Sequence, residues 1–382
     1  MSEPLYLDYN ATTPVAAEVF EAMAPFLREH FGNPSSSHPY GRRAAEAIAH
    51  ARREVAGLLG AQTDEILFTG CATESNNLAL RGVARALRHK GRHIITSAIE
   101  HPSVTAPLER LREDGYEVTV LAVDRLGCVS PQGLQAALRS DTILVSIMHA
   151  NNEVGTLQPI GELSAIAHAQ GALFHTDAAQ SVGKVPVDVH TLGVDLLTIA
   201  GHKFYAPKGI GALFVRRKTP LSPVLVGADQ ERGLRPGTEN VAHIVALGAA
   251  ADLARRHLPE LSARLRTLRD ALHMQLVRGI PGLRLNGHPE HRLPNTLNVS
   301  FPQVSGRRLL AETPEIAASV GSACHEEGQA VSGVLAAMGL DADEARGAIR
   351  LSLGAATTED EMRRAATSLI AASERLARTA RG

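Results

Sequence analysis

A single lysine, Lys203, lies where a reactive amine would be expected. The apolar run 196–199 predicts a buried strand that stops at Gly201, and an aromatic pair, Pro207 and two glycines then predict a turn. An amine held among apolar side chains can lose its proton near neutral pH and form a Schiff base with an aldehyde. A solvated loop lysine is the alternative, and this stretch alone leaves both interpretations open.

Polar side chains follow other predicted strands in the same way. Thr73 is predicted as the N-cap of a helix, where free main-chain N–H groups could bind a phosphate. Asp177 could hold a protonated ring nitrogen through a charge-assisted hydrogen bond, and His101 could stack on a ring or move protons. The stretch 148–155 follows a fourth strand. Ordinary helix capping by Thr73 or Asp177, and a structural histidine at 101, are the competing interpretations.

Cys324 is the candidate nucleophile. It is preceded by Gly, Ser and Ala and followed by His, two Glu and Gly, which predicts a polar loop after the apolar strand 316–320. A buried structural cysteine would have apolar neighbours. We therefore expect a reactive thiol at Cys324, whereas Cys71 and Cys128 lack such a setting.

Taken together, these groups supply what pyridoxal phosphate requires from a protein, namely a phosphate site, a partner for the ring nitrogen, a stacking ring and a Schiff-base amine. Here the chain resembles the cysteine desulfurase family of fold-type I pyridoxal-phosphate enzymes, nearly from end to end. The motifs that carry the resemblance are LDYNATTP at 7–14, GNPSS at 32–36, ATESNN at 72–77, EH at 100–101, NNE at 151–153, HTDAAQ at 175–180, GHK at 201–203, RPGTEN at 235–240, GSAC at 321–324 and IRLSLG at 349–354.

The resemblance implies roles around the cofactor ring. Lys203 would bind the cofactor aldehyde, and Asp177 would pair with the ring nitrogen. Gln180 would bond the ring hydroxyl. His101 would stack on the ring and could serve as the acid–base group for the substrate thiol.

The resemblance also implies a phosphate site and a substrate clamp. Ala72, Thr73 and His202 would hold the phosphate, and Thr238 would reach the phosphate of the partner subunit, which implies a homodimer. Asn152, also a cofactor contact, and Arg350 would clamp the substrate carboxylate, for which a planar guanidinium is suited.

One position departs from the family pattern. Many members have Ser two residues before the His-Lys pair, donating to the phosphate, and this chain has Ala200. A hydrogen bond to a charged group contributes roughly 1.5–3 kcal/mol, so we expect cofactor binding to survive the loss.

The reaction that the resemblance implies releases sulfur from L-cysteine. Lys203 would remove the Cα proton, the Cys324 thiolate would take the sulfur as a persulfide, and L-alanine would leave. The sulfur would pass to an acceptor protein, such as an iron–sulfur scaffold or one that assembles thio-cofactors.

Three alternatives remain open. Selenocysteine lyase shares the fold and cofactor, and the stretches 198–203, 230–240 and 319–325 are similar to that branch. An aminotransferase or simple lyase would use the cofactor without a nucleophilic cysteine. A non-enzymatic sulfur carrier or scaffold would bind no cofactor.

The elements that must position these residues alternate between strand and helix. Seven strand-like runs between 65 and 215, separated by helical stretches, predict an α/β fold with a mostly parallel seven-stranded sheet covered on both faces. A long helical pattern over 239–278 is interrupted by Pro259, which is expected to start a second helix or kink the first. We predict a large cofactor domain over 15–255, and a small α+β domain formed by 1–14 and 256–382 that carries Cys324.

Composition limits the class of protein. The chain has 382 residues, 44% of them hydrophobic, which is typical of a globular protein of about two domains. Its net charge of −1 does not provide the positive charge that binding to nucleic acid or an anionic membrane requires. No apolar run is long enough to span a bilayer. Three widely spaced cysteines argue against a disulfide framework and, with no evident signal peptide, for the cytoplasm. His175 and Asp177 form the one short pair with any resemblance to a metal site, which is weak support for a metal.

Overall fold

The computed structural model describes residues 4–320 and 332–379. The strands of these residues are β1 Leu5–Tyr6, β2 Ile66–Thr69, β3 His93–Ser97, β4 Glu117–Leu121, β5 Thr142–Ser146, β6 Leu173–Asp177, β7 Leu196–Ala200, β8 Gly211–Val215, β9 Arg284–Asn286, β10 Thr296–Ser300, β11 Ile316–Ala317 and β12 Ala348–Ser352. The α-helices are α1 Ala17–Arg28, α2 Pro39–Leu59, α3 Ala72–Ala86, α4 Pro102–Glu113, α5 Pro131–Ala137, α6 Ile160–Ala169, α7 Val189–Leu192, α8 Val241–Gly279, α9 Gly306–Ala311, α10 Gly333–Ala337, α11 Ala342–Arg346 and α12 Glu359–Thr379.

A seven-stranded sheet with the order β2-β8-β7-β6-β5-β3-β4 forms the larger body. The strands from β7 to β4 run parallel to their neighbours, because the chain crosses between them through helices. Strand β8 is antiparallel to both β2 and β7, since only the turn 201–210 separates it from β7. The predicted α/β fold with a mostly parallel seven-stranded sheet is confirmed.

Two hydrophobic clusters cover the two faces of this sheet. Successive side chains of a strand point to opposite faces, and accordingly Phe68 and Ile95 pack in one cluster with α1, α2, α6 and the first half of α8. Leu67 and Ile94 pack in the other, with α3 and α4. Strands buried on both faces explain why the sequence shows continuous apolar runs rather than alternation.

A third cluster lies around the antiparallel sheet β12-β10-β9, which is covered by α12 and the second half of α8. Leu5 and Leu7, from the beginning of the described chain, pack in it, and β1 pairs in parallel with β11. Residues from distant parts of the chain therefore build this smaller body together.

Helix α8 runs for 39 residues through both bodies, with Pro259 inside it. The expectation that Pro259 starts a second helix was wrong. Pro259 and Arg255, the residue one turn earlier, are both exposed, so the carbonyl that proline leaves without an N–H partner can bond to water. None of the described helices has both the length and the apolar character needed to cross a bilayer.

Candidate active site

The polar residues singled out above follow neighbouring strands of the large sheet. Asp177 ends β6, the Gly201–Lys203 turn follows β7, and His101 comes four residues after β3. These strands are parallel, with β5 between β6 and β3, so their carboxyl ends meet at one edge of the sheet, where open α/β sheets bind ligands.

Lys203 is held in a tight turn by its neighbours. A Cβ on Gly201 would lie 2.8 Å from the Ile210 side chain, so the turn requires glycine there. The Lys203 Nζ donates to the main-chain oxygens of Asn10 (2.7 Å) and Ala11 (2.8 Å). Burial, aided by the charge of Arg350, lowers the pKa of Lys203 to about 8. The amine can therefore shed its proton near neutral pH.

Asp177 is buried and held from two directions. One carboxylate oxygen accepts from the main-chain N–H of Ala179 (2.9 Å), and the other accepts from the Asn76 Nδ2 (2.8 Å) on α3. The first bond is a local turn contact of the kind that the capping interpretation predicts. The second ties the carboxylate to α3 and fixes its position at the sheet edge.

His101 is the N-cap of α4, and its Nδ1 accepts from the main-chain N–H of Ser103 (3.1 Å). Because a main-chain N–H can only donate, the neutral ring carries its proton on Nε2. His101 is exposed, yet enough protein surrounds it for burial to lower its pKa, with Asp177 opposing the change and Lys203 adding to it.

The N-terminus of α3 differs from its prediction. Thr73 was expected as the N-cap, but the helix begins at Ala72 and its N-cap is Cys71, which makes no side-chain capping bond. The helical bonds start earlier because the N–H of Ser75 already donates to the Cys71 carbonyl. Thr73 therefore lies in the first turn, where the amides of residues 72 and 73 have no capping side chain.

Strand β8 approaches this helix end closely. Ala200 pairs with Gly211, and a Cβ on Gly211 would lie 2.9 Å from the carbonyl carbon of Cys71 and 3.1 Å from the Ala72 nitrogen. His202 lies just beyond β7, with its Nδ1 3.1 Å from the Thr12 hydroxyl, and burial lowers its pKa to about 4. A neutral imidazole and free amides thus lie at the ends of adjacent elements.

The proposed substrate clamp is only partly assembled as expected. The buried Arg350 guanidinium donates to the Asp8 carboxylate (2.7 Å) and to the main-chain oxygen of Asn152 (2.9 Å). Its Nε is buried without a partner among the described residues. Arg350 and Asn152 are therefore neighbours, but the contact uses the Asn152 backbone, and Asp8 already pairs with the guanidinium.

Asn10 was not among the predicted site residues, although it is the centre of the network. Its carbonyl accepts from Lys203 (2.7 Å) and from the Gln180 Nε2 (3.0 Å), and its side-chain oxygen accepts from Lys184 (3.1 Å). Its amide group donates to the Thr296 hydroxyl (2.8 Å). The sequence signal was its position in the motif at 7–14, directly after a short strand.

Two further buried groups were missed. Lys184 follows the turn after β6 and donates to both Gln180 and Asn10. Glu100, next to His101, accepts from the Met148 N–H (2.9 Å), and burial raises its pKa to about 8. Glu100 belongs to the EH motif at 100–101 but was given no role, and Lys184 had no sequence signal, because burial of a charged residue depends on long-range packing.

Other predicted residues lie apart from this group or outside the described residues. Thr238 is exposed in the segment before α8. Cys324 lies outside the described residues. The ring nitrogens of His175 bond to the Ser146 and Thr198 hydroxyls, and no cluster of metal-binding side chains occurs among residues 4–320 and 332–379.

The residues present fit pyridoxal phosphate. Uncapped amides at α3 suit a phosphate, and Gly211 carries no Cβ that would press on that helix end. The buried carboxylate of Asp177 suits a protonated ring nitrogen. The lowered pKa of Lys203 suits an amine that must react with an aldehyde.

Comparison with known proteins identifies several close matches. The family model described as "Aminotransferase class-V" matches residues 5–364. The cysteine desulfurase IscS of Dictyoglomus turgidum is 49% identical over 364 residues, which are 95% of this chain and 92% of that protein. The solved structure of a NifS-like protein superposes with a TM-score of 0.90 at 39% identity, covering 98% of this chain and 99% of that one. That of SspA in complex with cysteine gives a TM-score of 0.82 at 39% identity, covering 91% and 98%.

Proposed function

Since the chain belongs to the class-V aminotransferase family and, within it, to the cysteine desulfurases, we propose that it is a pyridoxal-phosphate enzyme that converts L-cysteine to L-alanine and takes the sulfur onto Cys324. The observation that carries this proposal is the environment of Lys203. A buried amine with a pKa of about 8 faces the sheet edge where Asp177 and the open end of α3 also lie.

We assign the cofactor contacts as follows. The amides of Ala72 and Thr73, with His202, would hold the phosphate, and Asp177 would hold the ring nitrogen. Gln180 would bond the ring hydroxyl, His101 would stack on the ring, and Asn152 would line the site beside Arg350. When bound, the cofactor supplies an electron sink next to the Cα atom of the amino acid.

Lys203 moves the proton at Cα. Its Nζ is neutral for part of the time at pH 7 to 8, because burial has lowered its pKa, and it can accept a proton there. The carbonyls of Asn10 and Ala11 accept hydrogen bonds from the amine and aim it. His101 holds a proton on Nε2, so that nitrogen donates to a substrate group before it can accept from one.

Arg350 binds the substrate carboxylate. Its guanidinium is planar and already held by Asp8 and the Asn152 backbone, so little side-chain entropy is lost on binding. The structure gives each terminal nitrogen one acceptor among the described residues, so each has a second N–H that a carboxylate could use. The side chain of Asn152 would complete the clamp.

Cys324 is the sulfur acceptor in this proposal. Its thiolate attacks the sulfur of the bound L-cysteine, the carbon–sulfur bond breaks with its electron pair left on carbon, and a proton replaces the sulfur. The balance is one cysteine and one enzyme thiol giving one alanine and one enzyme persulfide. An acceptor protein with a thiol or an iron–sulfur scaffold then takes the sulfur.

We propose that residues 15–255 form the cofactor domain and that 1–14 and 256–382 form the small domain. The packing supports this division, since the last α8 residue in the first cluster is Ala251 and the first in the third cluster is Leu265. Leu5 and Leu7 pack with the later residues.

We also propose a homodimer that acts in the cytoplasm. Phe20 and Leu27 on α1, Phe31 after it and Tyr40 on α2 are all more than half exposed, and form what we call the α1–α2 apolar patch. Apolar side chains in such number favour cover by a second copy. Thr238, exposed before α8, would reach the partner's phosphate. A thiol that must stay reduced suits the cytoplasm.

The test is the appearance of a persulfide. The protein incubated with L-cysteine should gain one sulfur atom on the peptide that contains Cys324, detected by mass spectrometry, and should release alanine. Cys324→Ala should retain the cofactor and lose the persulfide, whereas Cys128→Ala should behave as wild type. Alanine production at the wild-type rate by Cys324→Ala would reject the assigned role.

A further inference from the structure

Lys184 is a buried cation without an ion-pair partner among the described residues. Only 7% of the residue is exposed. The charged groups that influence it are the cations Lys203 and Arg350, and with burial they lower its pKa well below the usual value. A charged ammonium buried in this position lowers the stability of the fold, and an apolar side chain of the same size would lower it less. Buried charges kept at such a cost concentrate at functional sites.

The turn after β6 directs this side chain into the site. The N–H groups of Ser181 and Val182 both donate to the Ala178 carbonyl, and that of Lys184 donates to the Ser181 carbonyl. Gly183 has a φ of +76°, and a Cβ there would lie 2.6 Å from the Phe204 Cβ. The chain therefore reverses against the residue that follows Lys203, and Lys184 returns towards Gln180.

The bonds of Lys184 define how Gln180 is oriented. Lys184 Nζ donates to the Gln180 Oε1 (2.8 Å), and the Gln180 Nε2 donates to the Asn10 carbonyl (3.0 Å). The Lys184 Nζ faces the oxygens of two amides and donates to both, and a main-chain carbonyl can only accept. Turning the Gln180 amide over would place its oxygen against the Asn10 carbonyl oxygen, and would break the bond to Asn10.

The same amine constrains Asn10. Its side-chain oxygen accepts from Lys184 (3.1 Å) and from the Asn295 amide (3.1 Å), while its carbonyl accepts from Lys203 (2.7 Å). Lys184 thus bonds to the side-chain amides of both Gln180 and Asn10, and among the described residues no hydrogen bond joins it to Lys203.

We propose that Lys184 is a positioning residue, whose amine fixes the amide of Gln180 so that its NH₂ group, and not its oxygen, is the group available to the ring hydroxyl oxygen of the cofactor. This inference rests on the proposed function, because it gives Gln180 its cofactor contact. One Nε2 hydrogen is used by Asn10, and the second has no acceptor in the part of the chain that the structure describes, so the ring oxygen could accept from it. A negatively charged ring oxygen needs a hydrogen-bond donor from Gln180. Lys184 keeps the Gln180 oxygen on its own side, so the NH₂ group is the one left to donate.

The test measures the visible absorption band of the cofactor-loaded protein as a function of pH. An oriented donor stabilises negative charge on the ring oxygen and so lowers the pH midpoint of the band. Lys184→Met removes the constraint, and the midpoint should rise by about one to two pH units, the size expected for one hydrogen bond to a charged group. Lys184→Arg keeps a donor and should restore part of the shift.

A second substitution separates orientation from simple charge repulsion. In Gln180→Met, which has no amide to orient, adding Lys184→Met should produce no further shift. The proposal would be overturned if Lys184→Met shifted the pH midpoint as much in the Gln180→Met protein as in the wild type. It would also be overturned if Lys184→Met left the wild-type midpoint unchanged. The double comparison isolates the coupling between the two residues.

Gln180→Glu provides an independent arm that keeps Lys184 paired. A carboxylate accepts from Lys184 but cannot donate to the ring oxygen, so the midpoint should rise as in Lys184→Met, and an unchanged midpoint would contradict the proposal. If the wild-type protein binds pyridoxal phosphate and forms the persulfide, but the pH midpoint of the variants does not move, only the role of Lys184 is rejected and the proposed function stands. Wild-type protein that fails to bind the cofactor would reject the proposed function.

Discussion

At the scale of single residues, the site depends on charged groups that the fold holds away from water. Lys203, Lys184, Glu100 and Arg350 are largely or wholly removed from solvent, and burial shifts the pKa of the first three toward the neutral form. The shared cause is the sheet edge, where strand ends and the residues around Asn10 close over polar side chains. The candidate site thus contains groups whose proton affinity the surroundings have changed.

The amine of Lys203 should titrate far below ordinary lysines. In cofactor-free protein, the rate at which Lys203 is reductively methylated should rise through an apparent pKa of about 8, because burial disfavours the ammonium. Peptide mass spectrometry across a pH series measures this, with the exposed Lys208 as the internal control. A Lys203 profile identical to that of Lys208 would show that the amine is solvated.

Replacement of Glu100 should stabilise the protein at high pH. Its pKa is raised from 4.5 to about 8, so the folded state binds the extra proton and stability falls as pH rises from about 4.5 to 8. The free-energy cost of burying the charged Glu100 carboxylate is absent below pH 4.5 and complete above about pH 8. Glu100→Gln should therefore raise the free energy of unfolding at pH 9 by roughly 2–5 kcal/mol and change it little below pH 4.5.

Denaturant unfolding at both pH values measures the effect of Glu100→Gln. Glu113→Gln, at an exposed position, is the matched control and should change stability at neither pH. Equal effects of the Glu100 substitution at the two pH values would contradict a raised pKa.

Sequence reasoning located part of this site. Lys203, Asp177 and His101 were found because each follows a predicted strand, and strand ends are readable from local patterns. Asn10 and Lys184 were missed because their importance comes from contacts with residues far away in the chain, such as Thr296 and Asn295. Local patterns contain no information on which polar side chain a distant segment will bury.

At the scale of elements, the proposed phosphate site depends on how closely β8 approaches α3. Gly211 has no Cβ, and one would lie 2.7 Å from the Ile199 oxygen and 3.1 Å from the Ala72 nitrogen. The strand and the helix end can be this close only with glycine. The contact aligns the first-turn amides of α3 with the end of β7.

Gly211→Ala should weaken cofactor binding. Its Cβ would displace the start of α3 and cost at least one hydrogen bond to the phosphate, so the dissociation constant for pyridoxal phosphate should rise about 10- to 100-fold. Absorbance titration measures this. Gly57→Ala on α2, where a Cβ would meet nothing within 4 Å, is the matched control and should bind as wild type does.

Helices and strands were largely predictable, with instructive exceptions. The strands of the large sheet follow from apolar runs between turn signals. The short helices α7 and α11 were not predicted, because each is a single turn that begins at an aspartate cap, Asp188 and Asp341, and such turns have no apolar periodicity. The uncapped start of α3 was also missed. Thr73 is the better capping residue by type, but in the structure the Gly70 N–H already donates to the Glu74 carboxylate.

At the scale of the whole molecule, exposed apolar surface points to assembly. The α1–α2 apolar patch includes the ring pair Phe31 and Tyr40, whose centroids are 5.7 Å apart. Thr238 is exposed as well. In the proposed homodimer, the patch would be covered and Thr238 would complete the partner's phosphate site, so that assembly and cofactor binding would be linked.

Charge in the patch should separate the subunits. The double variant Phe31→Glu, Tyr40→Glu should elute as a monomer by size exclusion with light scattering, because two carboxylates cannot be buried in an apolar interface without great cost. It should also release pyridoxal phosphate faster. Met274→Glu, exposed on α8, is the control and should stay dimeric. A dimeric double variant would exclude the patch as the interface.

The position of Asn10 has a consequence for biosynthesis. Its main-chain N–H donates to the Ser352 hydroxyl (2.9 Å), and β1, just before it, pairs with β11. A ribosome that has made Lys203 and Asp177 has therefore not yet made the residues that lock Asn10 beside them. Binding of the vitamin-derived cofactor should therefore begin only after residue 352 has left the exit tunnel. A nascent chain stalled before that point should show no visible absorption from the cofactor.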